Sequence, residues 1–188
     1  MFRLHAESGL PVTTFRPPFV HGPRQPFYRE PFFWDRLRDG RPIVLDDGGN
    51  SPIQWVFVDD LAEACVRAIE VPDAAGEAFN IAHAEPLTQR TFVEALADVA
   101  GATPEFVSVP RAAIQAAGGN ALMGANLYYG EFLDIPVHTS VLGKAQRVLG
   151  VQPTPLETAL ARSFAWYQSQ PRRAVDYAFE DGLLATKT

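Results

Sequence analysis

The sequence has few of the residues on which several common classes of protein depend. One cysteine among 188 residues excludes an internal disulfide, and the first residues have no basic, apolar leader, so we expect a cytoplasmic protein. No apolar run approaches the ~20 residues that cross a bilayer, so we expect no membrane partner. The four histidines form no H-x-x-x-H pair, so we predict no metal site. No G-x-S-x-G turn is present to expose a serine nucleophile.

Positive charge is also in short supply. Lysine and arginine number 16 against 22 acidic residues, which gives a net charge of −6. Nucleic-acid binding usually requires a basic face, so this balance argues against it. Hydrophobic residues make up 47% and charged residues 20%, which is ordinary for a globular domain with a substantial core.

The most informative stretch is residues 13–23. Residues 12–15 have the β-branched and aromatic content of a short strand, and Arg16-Pro17 ends it because proline has no N–H for a ladder. A second proline keeps the next step extended, and Gly22-Pro23 turns the chain away. We therefore predict a stiff loop at the carboxyl end of a strand, where open α/β sheets bind ligands.

Residue patterns predict the other elements. Helices are predicted where apolar stripes, caps and terminal glycines coincide: 1–8, 31–39, from Asp59 or Asp60 onward, 88–100, 111–117, 142–149, and from a Thr154 cap onward. Strands are predicted at 43–45, 53–58, 79–82 and 106–109.

Two further expectations concern side chains with potential chemistry. Cys65 lies on the apolar stripe of its helix, so we expect a buried, unreactive thiol. The loop that begins Asp46-Asp47-Gly48 has two adjacent carboxylates, and we interpret it as a solvated turn and not as a metal site.

Four segments resemble one family in that family's order. Arg16-Pro17-Pro18-Phe19-Val20-His21-Gly22-Pro23 resembles an R-P-x-x-V-Y-G-P motif, and 56–62 resembles H-V-D-D-L-A. Residues 76–81 resemble G-x-x-[FY]-N-[IV], and 149–153 with Trp166-Tyr167 resemble an L-G-W-x-P…W-Y tail. These are motifs of the extended short-chain dehydrogenase/reductases, the NAD-dependent epimerase/dehydratase family. The resemblance implies an α/β fold, with the last strands of a Rossmann-type parallel sheet and a small mixed α/β substrate-binding lobe.

Two motifs of that family are missing. The 14 glycines include no G-x-x-G-x-x-G turn for the cofactor pyrophosphate, and no tyrosine is followed four residues later by lysine. We therefore interpret residues 1–171 as the carboxyl-terminal part of such a domain, followed by a tail at 172–188 without strong periodicity. The first helix suggests upstream sequence, and the alternative is a short native N-terminal helix. No catalytic residue is assigned.

The resemblance implies that the proline-containing loop contacts the nicotinamide end of NAD or NADP. The cofactor-binding residues would be Arg16, Pro17, Pro18, Val20 and His21. Because His21 replaces the family's tyrosine, it could act as a general base, but we favour packing or hydrogen bonding.

Substrate contacts are expected from Phe33, Trp34 and Gln54. The aromatic pair could equally be core, which is the commoner role of such clusters. Relatives that act on sugar nucleotides often carry an arginine before the H-V-D-D-L-A strand, and residues 51–54 have none. Arg24 or Arg41 could substitute, and otherwise a smaller or uncharged substrate is favoured.

The sequence thus predicts the carboxyl-terminal portion of an NAD(P)-dependent epimerase, dehydratase or reductase for a sugar or another small carbonyl or hydroxyl compound. Without its two missing motifs, the chain alone should be inactive. Expected partners are a small-molecule substrate and either a missing Rossmann half or a second copy that covers an exposed sheet edge. The alternative is a non-catalytic binding module for RNA or protein on the same fold.

Overall fold

The computed structural model describes residues 2–134 and 139–185. The helices that it defines are α1 (Phe2–Ser8), α2 (Glu30–Arg38), α3 (Val58–Glu70), α4 (Gln89–Ala100), α5 (Arg111–Ala116), α6 (Gly143–Leu149), α7 (Leu156–Gln168) and α8 (Ala178–Ala185). The strands are β1 (Thr14–Arg16), β2 (Phe19–His21), β3 (Ile43–Asp46), β4 (Pro52–Ile53), β5 (Trp55–Phe57), β6 (Ala78–Asn80), β7 (Leu87–Thr88) and β8 (Phe106–Val109).

The strands form four short pairs, three of them parallel. β1 pairs with β6, β2 with β5, and β3 with β8 in parallel, whereas β4 and β7 are antiparallel. Parallel pairing requires long connections, which the helices supply. The predicted α/β fold class is therefore confirmed, and the strands near residues 14 and 79 lie side by side in parallel.

The segment Phe19–His21 was predicted as loop, and that prediction is wrong. Its residues pair in register with Trp55–Phe57 as strand β2. Pro17 and Pro18 precede this strand and lie outside it, so the missing N–H groups interrupt no ladder. The two prolines form only the link between β1 and β2.

Two clusters of buried side chains make up the core. The larger one is built on α2, α4, β3 and β8, and its centre is aromatic: Trp55 stacks on Phe92 with ring centroids 4.1 Å apart. The smaller cluster joins β6 to α3 and α6. The larger cluster fixes α2 beside the loop that follows β2.

Helix α4 begins and ends as its sequence predicts. The Thr88 hydroxyl accepts a hydrogen bond from the Thr91 N–H, and the Thr91 side chain accepts one from the Thr88 N–H. Gly101 ends the helix in the left-handed conformation with φ of 63°.

The sequence also predicted that Asp59 or Asp60 caps α3 and that Thr154 caps α7. Both predictions are wrong, because Asp60 and Thr154 hydrogen-bond to each other. Neither α3 nor α7 has a side-chain cap. Asp60 instead accepts hydrogen bonds from the Thr154 N–H at 2.9 Å and from its hydroxyl at 2.5 Å. This contact joins α3 to the segment before α7.

Two side-chain predictions are also wrong. Cys65 is exposed, because Leu61, Ala64 and Ala68 pack on the smaller cluster while Cys65 and Ile69 lie at the solvent edge of the stripe. Asp46 is not a solvated loop residue: it is 3% exposed and pairs with Arg111 at 2.5 Å.

The tail contains a helix that the sequence did not predict. In α8, Glu180 is 3% exposed and accepts two hydrogen bonds from Arg36, at 2.7 and 2.8 Å. This bidentate pair attaches the tail to α2. Among the described residues, none of the helices has the length and apolar character that a bilayer-spanning segment needs.

Candidate functional site

The segment that carries the first motif forms a cavity at the carboxyl end of β2. Pro18, Val20 and His21 line a cavity of about 310 Å³, together with the following segment 22–27, Arg29 and Val58. Arg16 and Pro17 are exposed at the end of β1 and do not line this cavity. Three of the five predicted cofactor-binding residues therefore share one wall.

His21 is buried beneath this wall and bonds to a second histidine. Its Nε2 lies 2.7 Å from Nε2 of His83, so one ring donates a proton and the other accepts it. Burial, and then repulsion from His83, lowers the pKa of His21 to about 3. Burial also lowers the pKa of His83, against an opposing attraction from Asp60. Both rings are therefore neutral near pH 7.

Glu30 faces the other side of the His21 ring. Its Oε1 accepts the Gly22 N–H at 3.1 Å and lies 3.9 Å from Nδ1 of His21. Burial raises the pKa of Glu30 to about 7, although Arg29 and two backbone N–H groups lower it. Among the described residues, neither Glu30 Oε2 nor His21 Nδ1 has a hydrogen-bond partner. The site therefore holds a carboxyl group that can exchange a proton near neutral pH.

Arg29 holds the wall of the cavity through hydrogen bonds to two backbone carbonyl groups. Its Nη1 donates to the Val20 carbonyl at 3.0 Å, and its Nε donates to the Glu131 carbonyl at 3.1 Å. The Gln25 amide donates to the same Val20 carbonyl. Burial lowers the pKa of Arg29 from its usual value. These bonds hold the cavity wall in one conformation.

The predicted substrate residues lie apart from this cavity. Phe33 is fully buried in the larger cluster, 4.7 Å from the Tyr129 ring between centroids. Trp34 is 2% exposed and its indole N–H donates to the Leu96 carbonyl at 3.0 Å. These contacts are those of core residues, and a substrate role for them stays a prediction.

Gln54 is 1% exposed and bridges two backbone segments. Its amide donates to the His83 carbonyl at 3.0 Å and accepts from the Ser140 N–H at 2.6 Å. Arg24 and Arg41 were considered as replacements for the arginine that relatives carry before the H-V-D-D-L-A strand. Arg24 lines the His21 cavity, whereas Arg41 pairs with Asp181 in the tail.

Three residues of the site escaped the sequence reasoning: Arg29, Glu30 and His83. Arg29 and Glu30 lie just before the helix predicted at 31–39 and received no role, although two charges directly before Pro31 could have indicated a capping or buried role. His83 follows a strand that was predicted, at the same carboxyl edge as His21. Within residues 2–134 and 139–185, no three His, Cys, Asp or Glu side chains are grouped to hold a metal ion.

Comparison with known proteins confirms the predicted resemblance. Residues 1–82 match the family model described as NAD dependent epimerase/dehydratase family. A probable UDP-glucuronate 4-epimerase from Rhizobium meliloti is 26% identical over 168 residues, which are 88% of this chain and 49% of that protein. The chloroplast stem-loop binding protein of 41 kDa b from Arabidopsis thaliana is 34% identical over 101 residues, 53% of this chain and 27% of that protein.

The fold is also found among solved structures. UDP-glucuronic acid 4-epimerase from Bacillus cereus, in complex with UDP-glucuronic acid and NAD, matches with a TM-score of 0.64 at 19% identity. The match covers 87% of this chain and 47% of that one. The chain spans less than half the length of the curated relatives it matches.

Proposed function

We propose that this chain, a relative of the NAD-dependent epimerases and dehydratases, is the carboxyl-terminal portion of an NAD(P)-dependent epimerase, dehydratase or reductase. Its substrate would be a sugar or another small carbonyl or hydroxyl compound. The observation that carries the proposal is the cavity of about 310 Å³ at the carboxyl end of β2, which is lined by the segment that carries the family motif.

The residues present fit one end of the dinucleotide and not the other. Pro18 and Val20 offer an apolar wall to a flat ring, and the backbone can come close at Gly22, where a Cβ would lie 2.5 Å from Cγ1 of Val58. No glycine-rich turn for the pyrophosphate occurs among the 14 glycines, so another part of the protein would hold that group. When bound, the nicotinamide accepts or donates a hydride.

The chain's own residues would position this ring. Arg29 and Gln25 hold the Val20 carbonyl, so the wall loses little conformational entropy when the ring binds. His21 is a neutral hydrogen-bonding group beneath the wall, and its bond to His83 ties β2 to the segment that follows β6. In this function His21 packs and donates or accepts a hydrogen bond, and it is not the acid or base of the reaction.

The binding of cofactor fragments tests this assignment. Nicotinamide mononucleotide should shift the backbone NMR signals of Val20, His21 and Gly22, whereas adenosine monophosphate should shift none of them. Val20→Phe, which fills the cavity, should abolish the shifts. Val66→Phe on exposed α3 is the matched control and should leave them unchanged. Equal responses to both nucleotides, or none to either, would exclude a nicotinamide site here.

The purified chain should not catalyse redox chemistry. Its sequence has no Tyr-x-x-x-Lys pair, and described residues near the cavity include no tyrosine on its wall. Turnover of NADH or NADPH by the isolated chain with any sugar or carbonyl compound would contradict the proposal. Immunoblotting of cells that express the protein, with an antibody to residues 150–170, should reveal a band well above 20.6 kDa.

The expected partner is the missing half or a second copy. Helix α1 has no buried residue, and Phe2 and Leu4 are 41% and 50% exposed. On α3, Val66 and Ile69 are 54% and 87% exposed. These faces, together with the edge of the two-stranded β1–β6 sheet, favour association. Light scattering should therefore detect oligomers of the isolated chain, and Ile69→Lys should reduce them.

The alternative function is a non-catalytic binding module. The similarity to a plant stem-loop binding protein favours it, while the net charge of −6 opposes RNA binding. An electrophoretic shift of RNA at micromolar protein that weakens as salt increases would support this alternative. If no RNA shift is seen and cells contain a band near 20.6 kDa, the binding module would have a protein and not RNA as its partner.

A further inference from the structure

A second concave site lies between α2, α7 and the segment that follows α7. It is a cleft of about 670 Å³, within the range of small-molecule sites. We propose that this cleft binds a planar aromatic anion, such as an aryl carboxylate, at a site separate from the nicotinamide cavity. The inference goes beyond the proposed function and does not depend on it.

The floor of the cleft is aromatic. The Phe164 and Tyr167 rings are nearly parallel, with an interplanar angle of 21° and centroids 5.9 Å apart. Both lie 5.2 Å from the ring of Trp34, which backs them from the core. Phe164 and Tyr167 are half-buried, so they present ring surface to the cleft. A flat ring can stack on such a floor and remove further apolar area from water.

The cleft's carboxylates are already satisfied. Asp35 is 1% exposed and accepts hydrogen bonds from the Tyr28 hydroxyl at 2.5 Å, the Tyr167 hydroxyl at 2.8 Å and Arg38 at 2.7 Å. Asp39, which lies next to the cleft at the end of α2 but does not line it, accepts from Arg38 at 2.9 Å. Because phenol and guanidinium protons surround these oxygens, they do not repel an incoming anion strongly.

The positive charges outnumber these carboxylates by one. Arg38 pairs with both aspartates, and Arg172 pairs with Asp39 at 2.8 Å. Arg173 lies 4.2 Å above the Tyr28 ring and, within the part of the chain that the structure describes, makes no ion pair. Arg173 is exposed and lines the cleft, so its guanidinium can form a bidentate pair with a carboxylate there.

The two sites share only one wall. The segment 25–27 lines the nicotinamide cavity on one side and this cleft on the other. The rest of the cleft comes from Tyr28, α2, α7, residues 100 and 102 at the end of α4, and residues 170–173, none of which belongs to the loop that follows β1. A ligand here would therefore change the signals of Trp34 and Trp166 and not those of His21.

Three probes separate ring from charge: 2-naphthoate, 2-naphthalenemethanol and acetate. Titrated into the full chain, 2-naphthoate should shift the indole N–H signals of Trp34 and Trp166 and bind about tenfold more tightly than the neutral alcohol. Acetate, which has no ring, should not bind. Equal affinities for naphthoate and the alcohol would overturn the proposal, as would the absence of binding.

Matched arginine variants locate the charge. Arg173→Gln should weaken naphthoate binding about tenfold and leave the alcohol unaffected. Arg147→Gln, an exposed arginine on α6 that does not line the cleft, should bind both as the unmodified chain does. Arg173 is exposed, so its replacement should not alter the melting temperature, and equal naphthoate binding by both variants would refute the assignment. Nicotinamide mononucleotide shifts at Val20, measured on the same samples, test the proposed function separately.

Discussion

Replacing Glu30 with glutamine should remove the pH dependence that this residue imposes on stability. Burial raises the pKa of Glu30 from an ordinary 4.5 to about 7. The folded protein therefore holds the proton more tightly than the unfolded chain between these values. The bound proton therefore stabilises the fold fully below pH 4.5, and this stabilisation is lost as the pH rises from 4.5 through 7. At about 1.4 kcal/mol per pKa unit, the loss is about 3 kcal/mol.

Glu30→Gln keeps the shape of the neutral carboxyl and removes its titration. Its oxygen can still accept the Gly22 N–H that Glu30 Oε1 now accepts. Urea unfolding should give nearly equal free energies for both proteins at about pH 4, and the variant should be more stable by about 3 kcal/mol at about pH 8. His21, whose pKa is lowered to about 3, destabilises the fold as the pH falls below 6.5. Because His21 is common to both proteins, the difference between the two curves isolates Glu30.

Glu63→Gln serves as the control, since Glu63 is exposed on α3. A plot of its unfolding free energy against pH should run parallel to that of the unmodified protein. If the Glu30→Gln curve also runs parallel, the carboxyl of Glu30 has the same pKa in the folded and unfolded chains. The cluster of Glu30, His21 and His83 would then be solvated and not buried, and the physical account of the site would fail.

Three further predictions follow from the fold. Phe33→Ala should destabilise by about 3–5 kcal/mol in urea unfolding through the cavity it leaves, and a cost below about 1 kcal/mol would show that Phe33 is not core. Glu180→Gln should cost about 3–5 kcal/mol, because Arg36 would stay buried without its carboxylate, and susceptibility of the tail to limited proteolysis should rise with it. Cys65 should react with a thiol reagent in the native protein as fast as in urea, whereas protection would restore the buried assignment.

Local chemistry predicted much of the fold. Helix α4 could be read from Thr88 and Gly101 because a capping hydroxyl and a left-handed glycine act within one turn. The prediction for Thr154 failed for the opposite reason. Its hydroxyl could cap α7 locally, but it donates a hydrogen bond to Asp60, which is 94 residues away in sequence. The tail helix was missed because its stability depends on Arg36, which lies far away in sequence.

The candidate site was only partly predictable. The prolines of the β1–β2 link indicated a ligand loop, and Pro18, Val20 and His21 do line a cavity. The partner of His21 is 62 residues distant, and no periodicity or spacing encodes such a contact. Burial of Glu30 likewise depends on the packing of α2 beneath the loop, which a sequence pattern does not contain.

The pairing of the strands has a consequence for how the chain is synthesised. Thr14 pairs with Ala78, Phe19 with Trp55, and Ile43 with Phe106, so each parallel pair joins distant parts of the sequence. During synthesis on the ribosome, β3 cannot pair until β8 has been made. Until then, the apolar residues of β3, which are fully buried in the folded protein, have no partner strand. Non-local parallel pairing of this kind slows folding and leaves apolar strands accessible to other chains. We expect the yield of soluble protein to depend on chaperones that bind nascent chains.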